Sequence, residues 1–172
     1  LKGRLPNRDL IMPEKYGIIQ NGKRASTMLT SRGCPNHCSF CGNRDRNVRF
    51  HTIDDVVQDA TKIKEQGYDA VYILDDVFTL HQDRAISIAK QLKALDLPFR
   101  CTTRANYVTN ELARELKYNG CDMVSMGIES GNDEILSNVC KNQTTKQIRE
   151  SVETLSWNGI SSKGFFIIGL PG

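Results

Sequence analysis

Val71-Tyr72-Ile73-Leu74 runs straight into Asp75-Asp76-Val77-Phe78, and this junction decides the fold. Four apolar residues in a row, without polar alternation, read as a strand buried on both faces. The two carboxylates at its tip exceed what a helix start requires, although negative charge there also suits a helix dipole. Outward from this junction the same unit repeats. Further strands are expected at 26–30, 99–103, 123–128 and 163–168, with this one covering 70–74. Thr52 can cap a helix with Ile53, Val56, Val57, Ala60 and Ile63 on one face, ending at Gly67. A second helix aligns Ala85, Ile88, Ala89, Leu92 and Leu95 before Pro98. Thr109 opens a third through Leu112, Ala113 and Leu116, a short turn surrounds Ile135, Leu136 and Val139, and Thr144 or Thr145 starts a last helix closed by Gly159. Five strands alternating with helices make an α/β fold with a parallel sheet and right-handed crossovers. A curved partial barrel and an open doubly wound sheet both satisfy this pattern. No G-x-G-x-x-G follows the first strand, so a dinucleotide fingerprint is not supported. In either architecture the chemistry belongs at the C-terminal strand ends.

The chain of 172 residues has room for one sizeable core. With 23 basic and 20 acidic residues its formal charge is +3, too small to argue for nucleic acid or a membrane surface. No apolar run approaches a membrane span, and the N-terminus has no signal-peptide core, so a reducing cytoplasm is the default compartment. Residues 1–24, with Pro6, Pro13 and several basic side chains but no clear period, read as a lead-in or linker ahead of a core domain at 25–172. The chain starts at Leu1 and stops at Gly172 just after Phe165-Phe166-Ile167-Ile168, which reads as an internal piece of a longer protein.

After the first expected strand comes Cys34-Pro35-Asn36-His37-Cys38-Ser39-Phe40-Cys41. Three thiolates on one short loop can hold three irons of a cubane 4Fe–4S cluster and leave the fourth iron open, whereas electron-transfer clusters normally have four cysteines. A structural zinc site would need a second ligand pair, and only His37 is near, adjacent to Cys38. A disulfide framework does not suit a chain with an ordinary core and no secretory mark. Cys101 and Cys121 read as small buried hydrophobes, and Cys140 as a more reactive thiol beside Lys141. Arg44, Arg46 and Arg49 form a basic cluster best explained as a solvated turn.

The loop, with an aromatic residue before its third cysteine, resembles that of the radical S-adenosylmethionine (radical SAM) enzymes. Three strand-end elements resemble theirs in the same order, over nearly the whole of residues 26–172. The resemblance implies a partial (β/α) barrel with five of about six β/α units. It implies that Cys34, Cys38 and Cys41 ligate the cluster and that the cofactor's methionine moiety chelates the open iron. Asp75 or Asp76, where many members have Gly-Gly-Glu, would face the methionine amine. In Gly127-Ile128-Glu129-Ser130-Gly131, Glu129 and Ser130 would meet the ribose hydroxyls or the carboxylate. Ile167 and Gly169 match the I-x-G element beside the adenine, although Phe165 and Gly172 depart from its wider pattern. Phe40 would also lie by the adenine, and Arg104 would pair with the cofactor carboxylate.

The implied activity is reductive cleavage of S-adenosylmethionine to a 5′-deoxyadenosyl radical, supplied by an electron donor such as flavodoxin or ferredoxin. Leu5-Pro6-Asn7-Arg8-Asp9-Leu10, Thr30-Ser31-Arg32-Gly33-Cys34-Pro35 and the Gly-Ile-Glu-Ser-Gly element look like members with an upstream cobalamin-binding domain, among them methyltransferases and ring-forming enzymes. Methylthiotransferase-like members share a similar cysteine stretch. A non-catalytic iron–sulfur module is the rival outside enzymes, and it would need a fourth protein ligand.

Overall fold

The computed structural model describes residues 3, 5–10, 12, 13, 15, 17–43 and 45–172. The chain enters the sheet through a hairpin of β1 (Ile18–Gln20) and β2 (Lys23–Met28). Its loop, Asn21-Gly22, has φ of 48° and 75°. Two positive φ values in a two-residue loop make the turn whose twist matches antiparallel strands, and Asn-Gly is the pair that adopts it most readily. β1, the turn and the start of β2 lie inside the stretch 1–24 expected to be lead-in.

A two-stranded ribbon of β3 (Ser31–Arg32) and β4 (Arg49–Phe50) then brackets the cysteine loop. There follow α1 (Ile53–Glu65), β5 (Ala70–Ile73), α2 (Gln82–Ala94), β6 (Phe99–Thr103), α3 (Asn110–Tyr118), β7 (Cys121–Glu129), the short α4 (Asp133–Asn138), α5 (Thr145–Trp157) and β8 (Ser161–Phe166). The main sheet runs β1-β2-β5-β6-β7-β8, and every pair from β2 onward is parallel. Each crossover steps in the same direction, so right-handed connections put every helix on the same face. A doubly wound sheet would require a reversal of strand order. The sheet is accordingly a curled half-barrel.

The capping signals behave as their chemistry dictates. Thr52 Oγ1 accepts from Asp55 N at 3.1 Å while Asp55 Oδ2 accepts from Thr52 N at 3.2 Å. Thr144 and Gln147 form the same reciprocal box at α5. Val56, Ala60 and Ile63 of α1, Ile88 and Leu92 of α2, and Leu112 and Leu116 of α3 pack on Val71, Ile73, Phe99 and Val124 in one continuous core. Each such Leu or Ile contributes about 1.5–3 kcal/mol by leaving water.

Two expectations need correction. The strands are not all buried on both faces: β6 alternates, with Phe99, Cys101 and Thr103 buried toward the helices and Arg100 and Thr102 half-exposed on the other side. These two lie on the inner face of the half-barrel, which no described residues close over. The last strand is Ser161–Phe166 rather than 163–168, and it is exposed along its length. It stands at the sheet's edge, and its apolar residues meet no covering layer among the described residues. Ile168 is fully exposed.

Candidate active site

The cysteine loop is fastened at its base by Asp75. This carboxylate is buried at the end of β5 and accepts from Thr30 N at 2.6 Å, Thr30 Oγ1 at 2.5 Å and Ser31 Oγ at 2.7 Å. Thr102 Oγ1 donates to the Asp75 carbonyl. Arg84 reinforces the same corner by donating to Thr30 Oγ1, Thr30 O and His51 O. Desolvation lowers the Arg84 pKa, and the charge of Asp75 opposes that shift. Asp76 points the other way: it is exposed and accepts from Gly33 N at 3.2 Å and Asn43 Nδ2 at 2.9 Å. Gly33 has φ of 98°, and a Cβ there would stand 2.5 Å from the Asn47 carbonyl oxygen, so only glycine fits before the first cysteine.

Above this base lies an open cavity of about 350 Å³, at the lower end of the range of small-molecule sites. Cys34, Cys38 and Cys41 all line it and all are free thiols. Cys38 is buried, Cys34 half-buried and Cys41 exposed. Asn36 Nδ2 donates to Cys34 Sγ at 3.3 Å, and Arg104 Nη1 donates to Cys38 Sγ at 3.2 Å. Among the described residues no three His, Cys, Asp or Glu side chains converge to hold one metal ion. A cubane asks for something different, since each iron corner takes a single thiolate. The donor set of three separate free thiols on one cavity, two of them hydrogen-bonded in support, fits such a cluster.

The opposite wall is built by β7. Ser125, Gly127 and Glu129 line the cavity at the two-residue period of a strand, while Ile128 turns into the core. The pairing of β7 with β8 shifts register between Gly127 and Glu129, and Glu129 has φ of 67°. Its carboxylate is buried and Oε1 accepts from Lys141 Nζ at 2.7 Å. Lys141, also buried, lies between Cys140 and Asn142, both with positive φ, and its ammonium is 5.8 Å from the centre of the Phe40 ring. Gly127 makes room for the pair: a Cβ at this position would be 2.3 Å from Glu129 Oε1 and 2.7 Å from Lys141 Nζ.

Of the residues expected from sequence, Phe40, Asp75, Asp76, Arg104 and Glu129 line this one cavity with the three cysteines. Ser130, Ile167 and Gly169 do not line it. Ser130 Oγ accepts from Asn132 N at 3.2 Å, Ile167 N donates to the Glu129 carbonyl at 3.0 Å, and a Cβ on Gly169 would meet open space. In the basic cluster, Arg49 pairs with Asp45 at 2.6 Å, Arg46 lines the cavity and donates to the Asn36 carbonyl, and Arg44 lies outside the described residues. Cys101 and Cys121 are buried, and a hydrogen bond to Cys121 together with burial pushes the Cys101 thiol well up.

Sequence reading took Lys141 only as a neighbour of Cys140 and missed its pairing with Glu129. A lysine in a loop is exposed by default, and the one local hint, the glycine at 127, became meaningful only with the partner in view.

The profile of the Radical SAM superfamily matches residues 28–172. An uncharacterized methyltransferase of Pyrococcus horikoshii is 34% identical over 97% of this chain and 37% of its own length. Cytidylyl-2-hydroxyethylphosphonate methyltransferase of Streptomyces wedmorensis is 29% identical over 87% of this chain and 29% of its own. The chain thus spans less than two fifths of either relative. Among solved structures, the radical S-adenosylmethionine methyltransferase TsrM of Kitasatospora setae, with cobalamin and a 4Fe–4S cluster bound, superposes with a TM-score of 0.78. It shares 20% identity, over 88% of this chain and 32% of that one, and so attests the fold.

Proposed function

This chain belongs to the Radical SAM superfamily, and on that premise we propose that it is the cluster- and cofactor-binding part of an enzyme that transfers a methyl group, or closes a ring, with cobalamin held elsewhere in the protein. The observation that carries the reading is that three free cysteines of one loop share a cavity with the C-terminal ends of β5, β6 and β7. The methyltransferases among its relatives and the cobalamin-bound structural neighbour support the choice of reaction class.

Cys34, Cys38 and Cys41 would hold a 4Fe–4S cluster with one open iron for S-adenosylmethionine. Held by these three cysteines, the cluster and S-adenosylmethionine would supply one-electron reductive cleavage of the cofactor's carbon–sulfur bond. The protein's own contribution is placement. Asp75 anchors the loop base to β5, so the thiols are presented at a fixed distance from the strand ends. Asp76, at the rim, would face the methionine ammonium. The Glu129–Lys141 pair offers a carboxylate to ribose hydroxyls and an ammonium to a carboxylate within one buried spot. Phe40 would flank the adenine, and Phe165 lines the same cavity from β8. The electron would come from a reductant such as flavodoxin or ferredoxin.

The test is an EPR spectrum of anaerobically reconstituted, dithionite-reduced protein with and without S-adenosylmethionine. A 4Fe–4S signal that changes on adding the cofactor and disappears in Cys38→Ala is expected. Bound iron indifferent to the cofactor, in protein of full natural length, would assign the chain to a non-catalytic iron–sulfur module.

A further inference from the structure

Arg104 follows β6 with its side chain buried, 5% exposed. All three guanidinium nitrogens are engaged. Nε donates to Asn106 Oδ1 at 3.4 Å, Nη2 donates to the Lys141 carbonyl, and Nη1 donates to Cys38 Sγ at 3.2 Å. The nitrogen that reaches the cavity therefore ends on a sulfur rather than standing ready for a carboxylate. The three thiols are also treated unequally. Cys38, the buried one, receives a cationic donor; Cys34 receives the neutral amide of Asn36; Cys41 is exposed, and among the described residues no side chain donates to its sulfur.

We propose that Arg104 is a positioning and tuning residue for the cluster: its charge-assisted bond to Cys38 raises the reduction potential, and its second arm ties that cysteine to the Lys141 segment. A cluster gains negative charge on reduction, and a cation bonded to one of its thiolates stabilises the reduced form. The effect is largest where water is excluded, as at Cys38. The tie to the Lys141 segment is doubled by Ser39 N, which donates to the Val139 carbonyl at 3.0 Å. A shift of the loop would thus be passed to the ammonium that pairs with Glu129.

This inference rests on the reading of the three cysteines as cluster ligands, and its test separates the two. The protein, at its full natural length, is reconstituted anaerobically and titrated redox-potentiometrically by EPR as wild type, Arg104→Met and Arg104→Gln. Wild type is expected to show the cofactor-responsive signal. In Arg104→Met the ratio of reduced to oxidised cluster at a fixed potential is expected to fall about tenfold, 59 mV for one electron, with iron content retained. Arg104→Gln, which keeps an amide donor without the charge, is expected to fall in the same direction and serves if the methionine variant loses iron. A ratio within twofold of wild type in a variant that retains its cluster overturns the inference alone. Loss of the cluster from both variants assigns Arg104 to holding the loop and overturns tuning. A wild type that takes up no cluster overturns the cluster reading and the inference with it.

Discussion

Replacing Lys141 by methionine takes one charge from a buried pair and leaves the other behind. The Nζ to Oε1 distance is 2.7 Å, and the two side chains are 5% and 10% exposed. At an effective dielectric near 20, unit charges this close attract by roughly 6 kcal/mol, most of which offsets their desolvation. Removing the lysine strands the Glu129 carboxylate, and a stranded buried charge costs about 3–5 kcal/mol. For a chain of this size that lowers the melting temperature by roughly 6–20 °C. The double variant Lys141→Met/Glu129→Gln removes both charges and should lie within about 2 kcal/mol of the parent. The cycle therefore predicts strong non-additivity, read from urea unfolding followed by circular dichroism on the apo-protein. A loss below about 1 kcal/mol in Lys141→Met, or a double variant as unstable as the sum of the singles, refutes the buried pair.

Gly33→Ala combines a left-handed backbone with a Cβ 2.5 Å from a carbonyl that cannot yield; a cost of about 1–3 kcal/mol and reduced iron uptake on reconstitution are expected. Gly42→Ala, where a Cβ would meet nothing within 4 Å, should take up iron normally. Burial holds the His51 pKa below its ordinary 6.5, and among the described residues its Nδ1 has no hydrogen-bond partner. The unfolded chain thus binds the proton more readily, so this contribution is present above pH 6.5 and is lost as pH falls through the folded-state value. His51→Phe should flatten that part of the curve of urea midpoint against pH. Arg8 Nε and Nη2 grip the buried Asp59 carboxylate at 2.6 and 2.7 Å; Arg8→Met should cost about 3–5 kcal/mol and open the chain before β2 to limited proteolysis.

What was legible in the sequence was whatever local chemistry specifies. Thr52 and Thr144 cap helices by reaching three residues along the chain, so α1 and α5 could be placed before any contact was known. The order of strands followed from alternation of apolar runs with helical periods. The three cysteines, Phe40 and the acidic tip of β5 could be grouped because α/β folds gather strand ends. Asn21-Gly22 was equally local, yet the short strands on either side lacked the apolar length that marks a strand. Other features depend on distant partners. Asp75 and Asp76 are neighbours in sequence with opposite fates, one saturated by the loop base and one at the rim. The pairing of Lys141 with Glu129 and of Arg104 with Cys38 spans 12 and 66 residues. Burial of β8 could not follow from its own composition, since it depends on what stands beside it.

The two rims of the sheet also govern how the chain behaves among copies of itself. At one rim β1 offers only three residues, and a short edge strand is a poor template for further pairing. At the other, β8 offers six extended residues, with Phe165 and Phe166 43% and 64% exposed and Lys163 the only charge along its length. In residues 1–172 taken by themselves, self-association in concentrated samples should begin at β8, by strand addition through amides and carbonyls that no described strand pairs, and a charged residue in place of Phe166 should keep this stretch dispersed.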